Sequence, residues 1–218
     1  MPYRRLPNTD SARIRSLECV VNKDDMFLAP EPVLSYHIVN ETKVFLPRFK
    51  SAYTLYHQYL DIQVKDNAKY QAKLRNARMY ISHFIQVLNL SVLRSEIKSV
   101  HKKLYDLPVD NATVPDLASE AAMVDWGKRI IEGERRRTSQ GGVPIYNPTI
   151  AKVKVHYDIF VDSYEKQRAL QALTNRSLEE LSSMRARADE LILDIWNQVE
   201  EKFQNVFPNE ARLDKCRD

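Results

Sequence analysis

Four glycines serve all 218 residues, and two of them, Gly141 and Gly142, are adjacent. Tight hairpins and phosphate-cradling loops draw on glycine because it takes positive φ, or lets a backbone approach a ligand, without steric cost. A Rossmann or P-loop enzyme, a β-sandwich or a barrel therefore matches poorly. What remains is a chain of long helices joined by few turns.

The apolar spacing points the same way. A short first helix is expected over 9–22, with Asn8 or Thr9 as N-cap, Asp10 in the first turn, and Ile14, Leu17 and Val21 as a narrow apolar stripe. Pro30 and Pro32 then make a connector. Residues 33–95 read as one long helix or a helical hairpin. Phe45, Phe49, Ala52, Tyr56 and Tyr59 share a face, and Pro47 should kink the helix or start a new one. Leu74, Ala77, Ile81, Phe84, Leu88 and Ser91 alternate steps of three and four, the seam of a helix packed along another. Lys65-Asp66-Asn67 is a weak place for a reversal.

Leu107-Pro108 and Asp110-Asn111 mark a loop. A crossover helix is expected over 113–136, with Thr113 as cap, Pro115 in the first turn and Asp116 as the acidic third residue. The loop TSQGGVP follows. Asn147-Pro148 reads as the next helix start, Asn capping and Pro in the first helical position. Residues 148–206 form a second long helix or hairpin. Ile150, Val153, Tyr157, Phe160 and Tyr164 make its first seam, and Leu178, Leu181, Ala188, Ile192, Ile195, Val199 and Phe203 its second. Ser177 with Glu180 would make a capping box if a turn lies near 174–177, and Pro208 ends the regular structure.

Ala77, Ile81, Phe84 and Leu88 align with Ala188, Ile192, Ile195 and Val199 at one constant offset. The expectation is thus a single all-α domain over 1–218. It would be a bundle of long antiparallel helices, resembling a four-helix bundle, with a short N-terminal helix and two pseudo-repeated hairpins as one arrangement. Any two heptad-like helices would align in this way too.

With 44% hydrophobic residues the chain is too apolar for the disordered class. The net charge of +4 arises from 33 basic against 29 acidic residues, a small bias that reads as solvated helix faces. Two cysteines, Cys19 and Cys216, make no metal spacing. No segment approaches ~18 consecutive apolar residues, and no apolar leader is evident. The expected setting is the cytoplasm, or a particle assembled there, with no membrane partner.

Chemistry leaves few marks. Di-iron bundles need Glu-x-x-His, and none of the five histidines has Glu three residues earlier. There is no H-E-x-x-H, G-x-S-x-G, G-x-G-x-x-G or Walker A sequence. No catalytic residue, metal ligand or cofactor is therefore assigned. Two clusters are candidates. Arg135, Arg136 and Arg137 beside Gly141-Gly142 could grip phosphates, or form a solvated helix end where positive charge suits the dipole. Arg78, His83, Asp189 and Asp194 fall on each other in the proposed echo, and would make a buried polar network if the hairpins pack about a dyad. Tyr53, Tyr56, Tyr59, Tyr157, Phe160 and Tyr164 read as core at helical spacing, and Trp126 and Trp196 as core or interface anchors.

The stretches MPYRRLPNTDSARIRSL, ARMYISHFIQVLN, GGVPIYNPTIAKVKV and ADELILDIWNQVEEKF resemble a family of bacterial all-helical proteins of unknown function. The resemblance covers most of the chain. It implies a shared helical fold and carries over no activity and no site residue.

The functional expectation is a non-enzymatic structural or protein-interaction module, a self-assembling or adaptor component of a larger complex. A ring or connector in a phage-like particle would be one form. The alternatives are a nucleic-acid-associated protein using Arg135–Arg137 with the basic N-terminus (Arg4, Arg5, Arg13, Arg15), and an enzyme or small-ligand binder with a site in the bundle.

Overall fold

Thr9 opens the first helix as expected: its Oγ1 accepts the backbone N–H of Ala12 at 3.2 Å, satisfying one of the donors a helix start leaves unpaired. In the computed structural model, which describes residues 5–22 and 32–206 with side chains to residue 202, this helix is α1, Asp10–Asn22. Arg4, Pro30, Pro208, Cys216 and the Phe203 side chain lie outside the described residues. The others are α2 (Tyr36–Leu93), a 3-10 helix (Ser99–Tyr105), α3 (Glu120–Ser139) and α4 (Ile150–Val206). Among the described residues the fold is all-α, with long α2 and α4 packed together and short α1 at the N-terminus.

Of the two readings of 33–95 and of 148–206, the structure has the long helix in both cases. No reversal occurs at 65–67 or 174–177, so the antiparallel arrangement comes from two long helices and not from two hairpins. Ser177 is no cap; its hydroxyl donates to the Thr174 carbonyl at 2.8 Å inside α4. Pro47 sits within α2 on its exposed side. A proline inside a helix costs about 3 kcal/mol. Leu46 and Phe49 beside it are buried, each worth about 1.5–3 kcal/mol, enough to carry the helix through.

Two helix starts fall later than the sequence suggests. The cap of α3 is Ser119, whose Oγ accepts from Ala122 N at 3.1 Å, with Glu120 in the first turn. Asp116, read as a capping-box acid, instead accepts the N–H of Ala118 at 2.8 Å, and Asn111 accepts that of Thr113 at 2.8 Å. Such local side-chain bonds hold 111–118 out of the helix. At α4, Thr149 Oγ1 accepts from Lys152 N at 3.4 Å, so Thr149 does what Asn147 was expected to do.

The chain divides into two compact units, 1–61 with 173–218 (unit 1) and 62–172 (unit 2). In unit 1, Ile14, Leu17 and Val20 of α1 pack into one core with Phe49 and Ala52 of α2 and Leu181, Ala188 and Ile192 of α4. Glu41 pairs with Arg187 and Ser35 with Gln198, so the two long helices run antiparallel here. In unit 2 the Leu74–Leu88 seam is buried against Met123 and Ile130 of α3 and Val153 and Phe160 of α4. Tyr80 stacks on His156 at 4.1 Å while Lys73 reaches Ser163 at 2.7 Å, again antiparallel.

Candidate binding cleft and buried ion pairs

One turn of α3 carries the central feature of unit 2. Glu134 and Arg137, three residues apart, share a helix face, and their side chains are only 1% and 3% exposed. Arg137 Nη2 donates to Glu134 Oε1 at 2.8 Å and Nε to Oε2 at 3.0 Å. Tyr105, from the last turn of the 3-10 helix, donates its hydroxyl to Glu134 Oε2 and accepts from Arg137 Nε at 2.8 Å. Two backbone groups of the following loop complete the set. Ile145 N donates to Glu134 Oε1 at 3.1 Å, and the Val143 carbonyl accepts from Arg137 Nη2 at 2.8 Å.

A buried ion pair persists only where hydrogen bonds satisfy its remaining donors and acceptors, and here both carboxylate oxygens are doubly engaged. Burial pushes the Tyr105 hydroxyl far above its ordinary range, and the bond to Glu134 adds to that. Burial works against the Arg137 charge, but its bonds to Glu134 and Tyr105 outweigh it and lift the guanidinium above its usual value. Gly133 makes room for the arrangement: a Cβ there would stand 2.4 Å from the Tyr105 ring.

Above this triad lies a cleft of about 780 Å³ between the end of α2, the segment 94–101 and the loop 140–147. Val87, Ile97, Val143 and Tyr146 give it apolar walls; Lys98 and Arg137 give it positive charge. Arg94 also lines it but pairs with Glu96 at 3.1 Å.

Unit 1 holds a second charged group. Arg13 of α1 grips Asp189 of α4 through Nε at 2.7 Å and Nη2 at 2.9 Å, and Arg185 grips Asp10 through two bonds of 2.9 Å. Arg13 Nη1 also reaches Asp10 at 3.5 Å. These forks tie α1 to α4. A shallow cleft of about 500 Å³ borders them, lined also by Tyr53, Tyr56 and His57.

The arginine run is therefore split. Arg135 is exposed, Arg136 is exposed and pairs with Glu132 at 3.3 Å, and Arg137 is internal. The network expected of Arg78, His83, Asp189 and Asp194 does not form. His83 and Asp194 are exposed, Asp189 gives both oxygens to Arg13, and Arg78 donates to the Ala118 carbonyl at 2.9 Å. Arg78 and His83 belong to unit 2 and Asp189 and Asp194 to unit 1, where Arg13 of α1 partners Asp189. Sequence reasoning missed Tyr105 and Glu134. The one available signal was Glu134-x-x-Arg137, an acid and a base one turn apart beside a glycine.

Among the described residues, no group of three His, Cys, Asp or Glu side chains could hold a metal ion, and no helix is long and apolar enough to cross a membrane. Compared with models of known protein families, with curated proteins and with solved structures, the chain matches none. The all-helical fold implied by the bacterial resemblance is present, and no family accompanies it.

Proposed function

We propose that the chain is a non-enzymatic interaction module that presents helical surfaces to protein partners or to copies of itself, as a component of a larger cytoplasmic assembly. One observation carries this reading. On the wall of the cleft of unit 2, Tyr146 is 77% exposed and Val143 68%, and Leu93 and Val100, next in sequence to the lining residues Arg94 and His101, are 80% and 64% exposed. Single exposed apolar residues are ordinary. Two on the wall of one cleft, with two more next in sequence to its lining, support an interaction surface there. Tyrosine at such a rim supplies an apolar body with a polar tip.

The test is photo-crosslinking from residues 93 and 143 in cells, with light scattering on the purified chain. Discrete protein adducts from both positions support the reading, and the oligomeric mass then separates self-association from a different partner. Absence of any protein adduct from either position removes it. The nucleic-acid reading now depends on Arg135 and Arg136 with the basic N-terminus, since Arg137 is internal. It requires a salt-dependent affinity that falls when those two arginines become alanine.

A further inference from the structure

We infer that the cleft of unit 2 is a binding site for an amphipathic carboxylate, an apolar body carrying one negative charge, with Arg137 Nη1 as its anchor. This stands independently of the interaction reading.

The guanidinium of Arg137 is locked. Nε and Nη2 make four hydrogen bonds, to Glu134, Tyr105 and the Val143 carbonyl. Those four bonds leave out Nη1, and it is not among the enclosed side-chain atoms without a partner, which among the described residues are Tyr70 Oη, Arg78 Nε and Asn89 Oδ1. Arg137 lines the cleft, and so does Gly142. A Cβ on Gly142 would stand 2.8 Å from Nη1. A side chain at position 142 would crowd this nitrogen. A charged donor already fixed in place loses little freedom on binding, so its bond to a ligand is made at low entropic cost.

The rest of the cleft sets the class of ligand. Its volume of about 780 Å³ is that of a small-molecule site. Val87, Ile97, Val143 and Tyr146 would cover an aliphatic or aromatic body. The available positive charge is modest: Glu134 partly balances Arg137, Arg94 is paired with Glu96, and Lys98 on the rim adds one ammonium. That balance suits a monoanion better than a phosphate dianion. One guanidinium nitrogen and one ammonium also suit the two oxygens of a carboxylate.

The probes are octanoate, octyl phosphate and octanol, each titrated into the full ¹⁵N-labelled chain. The inference expects octanoate to shift the amides of Gly141, Gly142 and Val143 and the Arg137 Nε–H signal saturably, with octanol leaving the Arg137 signal in place. Lys98→Glu, a change on an exposed side chain that leaves the triad intact, should weaken octanoate about threefold to tenfold. Four results would each overturn the inference: octanol matching octanoate, shifts confined to unit 1, octyl phosphate binding where octanoate does not, or a Lys98→Glu chain with unchanged affinity.

Discussion

Glu134 and Arg137 face each other one helical turn apart with 2.8 and 3.0 Å between their charged atoms, and neither side chain is more than 3% exposed. Cutting one partner leaves the other as a bare charge inside the protein, an outcome that costs about 3–5 kcal/mol. Glu134→Gln keeps the shape and removes the charge. It should lower the melting temperature by roughly 10 °C in a domain of this size. A fall of only a degree or two would mean that the pair is solvated in solution.

The split of the arginine run has a direct readout. Arg135→Ala and Arg136→Ala change exposed side chains and should stay within about 0.5 kcal/mol of the parent chain. Arg137→Ala should cost several times more, because it strips Glu134 and Tyr105 of their shared partner. Denaturant titration of the three single variants separates them, and equal effects would contradict the internal placement of Arg137.

Tyr105 makes the protein sensitive to alkali. Its ordinary value is 10.0, and burial followed by the Glu134 bond raises it in the folded chain. The folded state therefore holds this proton where the unfolded state has lost it. The associated stability is fully present below pH 10 and is lost as the pH climbs above it. Burial moves Tyr70 and Tyr157 in the same direction. Unfolding free energy measured against pH should decline from pH 10 upward, and Tyr105→Phe should make that decline shallower while lowering stability at neutral pH. An unchanged slope in the variant would place the alkaline sensitivity elsewhere.

Two glycines in α3 are seats for aromatic rings. A Cβ at Gly133 would meet the Tyr105 ring at 2.4 Å and the Leu104 carbonyl at 2.8 Å; at Gly127 it would meet the Tyr157 ring at 2.2 Å. Alanine inside a helix normally gains up to about 1 kcal/mol over glycine. Here overpacking of about 1–3 kcal/mol should win. Gly133→Ala should be the worse of the two, because a backbone carbonyl cannot swing aside as a ring can. Thermal melts of both variants check the order.

In unit 1, the Arg13–Asp189 fork should hold α1 on α4. Arg13→Ala should cost about 1–2 kcal/mol, and a double-mutant cycle with Asp189→Asn should show a coupling near 1 kcal/mol. Hydrogen exchange should quicken along α1 in either single variant. Additive effects in the cycle would show that the fork contributes nothing.

The seams were readable because each needs only its own helix. Leu74, Ala77, Ile81, Phe84, Leu88 and Ser91 are spaced to bury one stripe, and all six are buried. The Thr9 cap was equally local. Helix continuity was not readable at Pro47, where buried neighbours decide against the local penalty. Nor was the start of α3, because an aspartate oxygen can serve a helix cap or a local turn, and Asp116 makes the turn with Ala118 N–H while Ser119 is the cap. The buried triad joins residues 29 and 32 apart in sequence, and Arg137 looks identical to Arg135 and Arg136 until Tyr105 is placed against it. Asp189 likewise finds its partner 176 residues away.

Unit 1 is built from both ends of the chain, while unit 2 is the uninterrupted stretch 62–172. Synthesis runs in one direction, so a ribosome delivers every residue of unit 2 before the second half of unit 1 exists. The first half, with Leu17 and Phe49 already made, must wait for Leu181 and Ile192. During that interval Leu17 and Phe49 lack the α4 side chains that they pack with in the folded core.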